Sequence, residues 1–178
     1  MNKSTASVIG CAVAAVMALV VQTDHSLKTS DEGLAFIAKW EGCRSEAYQC
    51  SADVWTIGLG HTQGVKAGDT ATLPDISNAF IEDIAKAENV VNRHTDLPAG
   101  KEFDMAVSFV FNLGAGNFQH STFLKRIKAD DLVMACREFP RWVYVNGKDC
   151  RDPASNCPGI VTRRAEEKEI CLNGYPQI

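Results

Sequence analysis

Basic residues are the minority charge here: 18 lysines and arginines stand against 22 aspartates and glutamates in 178 residues, a net charge of −4. A protein that grips nucleic acid relies on a basic footprint, so no nucleic acid is expected as partner. After residue 25 there is no internal repeat and no low-complexity linker, which excludes a solenoid or a string of tethered modules. Histidine is sparse, with four in the chain, and the cysteines match no common zinc-ligand spacing. Neither metal nor cofactor is therefore expected. Charge is missing entirely from Ser4 to Val21, an 18-residue run that follows Lys3. What is present, 46% apolar and 22% charged residues, is ordinary for a folded protein with one core or two small lobes sharing a helix.

The uncharged run STASVIGCAVAAVMALVV sits at the lower length limit for a membrane-spanning helix and is long for the core of a signal peptide. It is rich in Ala, Ser, Thr and Gly rather than Leu and Ile, and Asp24 and His25 close it. Three fates are open: cleavage, permanent anchoring, or marginal anchoring that ends when the segment leaves the bilayer. Ala12-Val13-Ala14 imitates a cleavage site but lies inside the apolar run, which favours the two uncleaved fates. The seven cysteines (Cys11, Cys43, Cys50, Cys136, Cys150, Cys157, Cys171) point to an oxidising compartment, and their odd number leaves one thiol unpaired in a monomer. That thiol is either a buried spare or one kept for exchange.

From Thr29 the pattern is that of a folded domain. Thr29 and Glu32 have capping-box spacing, and Leu34, Phe36, Ile37 and Trp40 give the following helix an apolar face that ends near Gly42. Short strands are predicted at 47–50, 54–57 and 58–61. Helices are predicted over about 77–94, 101–112, 121–128 and 131–139, with a last one ending near Leu172 after the polar insertion 146–159. Phe103, Phe109 and Phe111 have helical spacing and are read as core. The fold class is α+β: an N-terminal membrane segment (1–24), then a domain over 25–178. Its small sheet lobe spans about 25–75, a connecting helix about 76–94, and a helical lobe about 95–178.

The chemically suggestive stretch is Trp40-Glu41-Gly42-Cys43-Arg44-Ser45-Glu46-Ala47-Tyr48-Gln49-Cys50, with Thr56-Ile57-Gly58-Leu59-Gly60-His61 after it. Glu41 falls in the last turn of its helix, where the negative end of the dipole disfavours the charged form. A carboxyl that keeps its proton suits protonation of a departing glycosidic oxygen. Taken alone, a surface glutamate fits the position equally.

The stretch resembles the catalytic region of the phage lysozymes, glycoside hydrolase family 24: a glutamate, then Gly, a basic residue, Ala-Tyr, a second catalytic residue, and Thr-Ile-Gly-x-Gly-His. The similarity continues at Phe111-Asn112-Leu113-Gly114, Gly116-Asn117-Phe118, Arg141-Trp142, Gly159-Ile160-Val161 and Arg163-Arg164-Ala165-Glu166, covering most of residues 30–173 in the family's order. The resemblance implies a lysozyme-like two-lobe fold and a muramidase that hydrolyses the β-1,4 bond between N-acetylmuramic acid and N-acetylglucosamine. Its partner would be peptidoglycan, its purpose host lysis, and its form a monomer. Glu41 becomes general acid, Cys50 the base or electrostatic partner, and Thr56 the hydroxyl that holds the attacking water. Most of the family has aspartate at the second position. Cys50 matches a subset, and a thiol would need a positive neighbour to ionise at neutral pH, its free pKa being roughly 8.5. His61 is a base, a sugar contact or a structural hydrogen-bonder; Asn112 lines the cleft or caps a helix. Of Arg163 and Arg164, one pairs with Glu41 or binds substrate and the other is a helix-surface cation.

Cys43 and Cys50 flank a hairpin bend, so a disulfide between them is sterically reasonable and would consume the catalytic thiol. Cys11 cannot reach Cys43 while its segment is inserted in the host inner membrane. Once released to the periplasm it could attack that bond and free Cys50, as in the signal-anchor-release endolysins that the chain resembles. The plainer reading makes Cys11 an apolar filler. Cys150 and Cys157 bracket a short insertion and are natural partners, leaving Cys136 and Cys171 to pair by elimination. The rival enzyme is a wall peptidase or amidase using Cys50 and His61; the rival without catalysis is an anchored wall-binding module.

Overall fold

The computed structural model describes residues 11–49 and 53–177. Two compact units divide the chain: one from the segment up to His25 together with Glu41–Asp83, the other from Ser26–Trp40 with Ile84 onward.

In the first unit the uncharged segment forms α1 (Val13–Gln22), a helix of ten residues with Val16 and Val20 fully buried. Ten residues rise about 15 Å, half of a bilayer core. Among the described residues no helix is long and apolar enough to cross a membrane. The expected N-terminal membrane helix is thus replaced, over the described part, by a short helix within the folded unit. Thr23 stops it by turning extended while its N–H still bonds the Leu19 and Val20 carbonyls.

Strands β1 (Arg44–Gln49) and β2 (Trp55–Gly58) pair antiparallel, Tyr48 opposite Thr56 and Arg44 opposite Gly58, with an irregularity between. The far edge of β1 is covered by 69–71, through Ala47 N–H to the Asp69 carbonyl and Ala71 N–H to the Ser45 carbonyl, both 2.9 Å. The predicted third strand at 58–61 is instead a tight turn. Gly58 and Gly60 have φ of 64° and 88°, and Ile57 and His61 exchange backbone bonds of 2.9 and 3.0 Å across it. Helix α3 (Leu73–His94) starts four residues before the predicted Ser77. Thr72 and Asp75 cap it reciprocally: the Asp75 carboxylate accepts from the Thr72 N–H at 2.9 Å, and the Asp75 N–H donates to the Thr72 hydroxyl at 3.4 Å.

The second unit takes its first helix from α2 (Asp31–Glu41). Its cap is Ser30 rather than Thr29: the Ser30 hydroxyl accepts from the Gly33 N–H at 3.1 Å. Thr29 is occupied by the buried Glu88 carboxylate, which accepts from its N–H and its hydroxyl at 2.6 Å. Asp104 binds the Ser30 N–H at 3.0 Å and the Tyr175 hydroxyl at 2.8 Å. A side chain at residue 33 would meet the Asp104 carboxyl carbon at 2.7 Å, so this contact requires Gly33.

Then follow α4 (Lys101–His120), α5 (Thr122–Lys128), α6 (Leu132–Cys136), a 3₁₀ turn (Phe139–Arg141), the hairpin β3 (Tyr144–Val145) and β4 (Lys148–Asp149), and α7 (Pro158–Asn173). The α4 span is two helical pieces joined at Gly114, whose φ of 82° and ψ of 160° are non-helical, so the first piece stops beside the predicted end at Asn112 and the second runs on to His120. The unforeseen hairpin turns on Asn146-Gly147, both at positive φ, a pairing that favours two-residue turns. The core centres on Phe109, whose ring lies 4.9 Å from Trp142, 5.3 Å from Phe123, 5.9 Å from Phe118 and 6.1 Å from Phe139. Phe103 and Phe109 are fully buried as expected of core, whereas Phe111 is only half-buried. Cys136–Cys171 and Cys150–Cys157 are disulfides of this unit.

Candidate active site

Glu41 closes α2 and is half-buried. The turn after β2 comes up against it: a Cβ built on Gly60 would stand 3.2 Å from Glu41 Oε2. Only glycine combines that approach with a φ of 88°. The turn is stiff. Leu59 is 2% exposed, and Gly58 lies so close to Ile76 that a Cβ would meet its side chain at 2.9 Å.

His61 finishes the turn, with Nδ1 2.7 Å from an Asp83 carboxylate oxygen and Nε2 3.1 Å from the Gln63 carbonyl. Both ring nitrogens therefore face oxygen acceptors, which is the arrangement of a clamp and not of a free base. Asp83 was missed in the sequence; a partner 22 residues away on a helix is a tertiary fact with no local signal. Thr56, on β2, is 4% exposed, and its hydroxyl donates to the Val54 carbonyl at 3.1 Å.

Cys50 lies outside the described residues. Of the described residues on either side of it, Gln49 donates its side-chain amide to the Asp53 carbonyl at 3.3 Å. Cys43 is bonded to Cys11, with Cα atoms 5.3 Å apart. The expected Cys43–Cys50 bond is excluded while this one stands. Among the described residues three disulfides join six cysteines. Cys11 can reach Cys43 because its segment belongs to the folded unit.

The remaining expected residues belong to the helical unit. Arg163 and Arg164 are 2% and 0% exposed, so neither is a helix-surface cation. Both turn to Glu167, itself fully buried: Arg163 Nε donates to it at 3.3 Å, and Arg164 Nη1 at 2.5 Å. Ser108 donates to the same carboxylate at 2.7 Å. Burial pushes the Glu167 carboxyl up and the two guanidiniums pull it back, with burial the larger influence. Arg164 also donates to the Asn112 side-chain oxygen. Asn112 is half-buried, so this bond fixes its amide at the surface end of a buried ionic cluster.

The phage lysozyme family model matches residues 38–167. The chain is 38% identical over 144 residues to an endolysin of Acyrthosiphon pisum secondary endosymbiont phage 1, covering 79% of this chain and 95% of the relative. It is 31% identical over 178 residues to the SAR-endolysin of Escherichia phage P1, covering 92% and 91%. The crystal structure of the active form of P1 phage endolysin Lyz matches with a TM-score of 0.81 at 30% identity, over 93% of this chain and 96% of that one. The secreted inactive form matches with a TM-score of 0.54, over 82% and 96%. A glutamate at a helix end against a glycine turn, in a chain with these matches, means that the protein belongs to the phage lysozyme family and is an endolysin with glycoside hydrolase activity.

Proposed function

We propose that the chain is a muramidase that hydrolyses the β-1,4 bond between N-acetylmuramic acid and N-acetylglucosamine in peptidoglycan, acting as a monomer. The observation that carries this reading is the seating of the Glu41 carboxyl against Gly60 at the end of α2. Glu41 protonates the departing glycosidic oxygen, and Cys50, as thiolate, is the base or electrostatic partner across the sugar. Thr56 positions the attacking water, with its hydroxyl already tied to the β2 approach. Asn112 contacts sugar; His61, with both ring nitrogens engaged, holds the turn that meets Glu41 rather than making the sugar contact expected of it, and Arg163 acts through Glu167 by ordering the cluster that holds Asn112.

Residues 1–24 serve as an uncleaved signal-anchor, and 25–178 as the catalytic domain. The enzyme is exported, held at the host inner membrane with a Cys43–Cys50 bond, then released into the periplasm. The Cys11 thiolate then attacks Cys43 sulfur; the Cys11–Cys43 bond forms, the Cys43–Cys50 bond breaks, and Cys50 leaves as thiolate. No external oxidant or reductant is consumed. Two observations support this order: the Cys11–Cys43 bond, and the greater likeness to the active than to the inactive form of the P1 enzyme.

The test is a reducing-end assay on purified peptidoglycan with wild type, Glu41→Gln and Cys50→Ser. New reducing ends from wild type alone support the assignment. New free amines without reducing ends would transfer it to a Cys50 peptidase, a reading against which the two engaged nitrogens of His61 already stand.

A further inference from the structure

Two buried carboxylates take no part in the chemistry assigned above, yet both hold the entry of the helix that ends in Glu41. Glu88, on α3, is 6% exposed, and Asp104, on α4, is fully buried. One oxygen of Glu88 accepts from the Lys28 N–H at 2.9 Å and from the Thr29 N–H and hydroxyl, each at 2.6 Å. Asp104 accepts from the Ser30 N–H at 3.0 Å and from the Ser30 hydroxyl at 2.5 Å. The N–H groups of residues 28, 29 and 30 are thus held in succession by side chains of two different helices. Lys28 adds a tie of its own, with Nζ 4.2 Å from the Phe103 ring centre and donating to the Leu97 carbonyl.

We infer that Glu88 is a positioning residue for the reaction: by holding the entry of α2 it sets where the Glu41 carboxyl stands at the other end. The inference rests on the muramidase reading of Glu41. The Ser30 hydroxyl already caps α2 by accepting from the Gly33 N–H. Glu88 grips the two residues before that cap, so its carboxylate is not needed to start the helix. Burying a carboxylate is costly unless its bonds accomplish something more. What these bonds add is a fixed entry, which sets both the advance of α2 along its axis and its rotation about it.

The helix transmits that setting because it is stiff. Its 11 residues rise about 16 Å from Asp31 to Glu41. A tilt of about 4° at the start would carry the far end about 1 Å. Misplacing a reacting group by about 1 Å costs on the order of 10²-fold in rate.

The test measures kcat and KM for reducing-end release from solubilised peptidoglycan strands, with the full chain. Glu88→Ala should lower kcat about ten- to hundredfold with KM within about twofold. Glu88→Gln, whose amide oxygen still accepts, should bring kcat back to within about threefold of wild type. Thr29→Val drops the hydroxyl bond and keeps both N–H groups paired, so it reads the same split where Glu88→Ala does not fold. Its loss in kcat should be about two- to fivefold. Because the effect runs through Glu41, adding either change to Glu41→Gln should leave the residual rate of Glu41→Gln as it is. Phe123→Leu, a core change in the same unit, should lower the melting temperature and keep kcat. Unchanged kcat in the folded variants at 29 and 88, a loss confined to KM, an additive double variant, or an equal loss in Phe123→Leu would overturn the inference. Failure of the muramidase reading is seen separately: wild type itself would release no reducing ends, or Glu41→Gln would match it.

Discussion

The two units of this chain are held together by different means. The helical unit relies on mass: four rings clustered on Phe109, a buried Arg163–Glu167–Arg164 group and two disulfides. The unit that carries Glu41 and Thr56 relies on ties: a two-stranded sheet, a glycine turn, the His61–Asp83 pair and the Cys11–Cys43 bond. Two strands are at the margin of independent stability, so each tie matters more there. A structure built from ties can be remade by exchanging one of them, whereas a packed core cannot.

The largest expected effect separates chemistry from stability. Glu41→Gln should lower the rate of reducing-end release by roughly 10²–10⁴-fold while leaving the melting temperature unchanged. Next, Phe109→Ala should cost about 3–5 kcal/mol in chemical denaturation, since it removes the ring on which the others converge. A smaller loss, about 1–3 kcal/mol, is expected of Asp83→Asn, which weakens the clamp on His61. Its signature should be faster proteolysis within 41–83, with the helical unit left protected. Equal protease sensitivity in both units would erase the contrast drawn here.

The smallest effect concerns pH. Burial raises the Asp104 carboxyl above its ordinary value, against the opposing hydrogen bonds from Ser30 and Tyr175. The folded state therefore holds this proton more tightly than the unfolded chain. Stability from this group is full below the ordinary carboxylate value, about 3.9, and declines as pH rises through the raised one. Denaturation midpoints of Asp104→Asn, measured across that window, should show a flatter decline than wild type.

Much of this was legible in advance where the cause is local. Helix α2 follows from its apolar face, and the α+β order from the change of period after Gly42. The stretch from Trp40 to His61 carries the family likeness in its motif, and the family model covers it. What escaped detection depended on tertiary partners or on competing local signals. The cap of α2 moved from Thr29 to Ser30 because Glu88, 59 residues away, takes the Thr29 hydroxyl. The 58–61 segment reads as a strand until both glycines adopt positive φ. Thr72-Leu73-Pro74-Asp75 and Asn146-Gly147 did carry local signals, a capping box and a hairpin turn, that the periodicity reading passed over. The burial of Arg163 and Arg164 could not be read from a helix with charges on several faces; it needs Glu167 and Ser108 beside them.

The central claim is that the active enzyme is the one in which Cys11 has taken Cys43 and left Cys50 as a thiol. Peptide mapping of the disulfides in the lytically active, released fraction, with alkylation before digestion, tests it directly. The account predicts a Cys11–Cys43 cross-link and an alkylated Cys50, with Cys11→Ser trapped and inactive. An active fraction in which Cys43 is joined to Cys50, or a fully active Cys11→Ser enzyme, would contradict it.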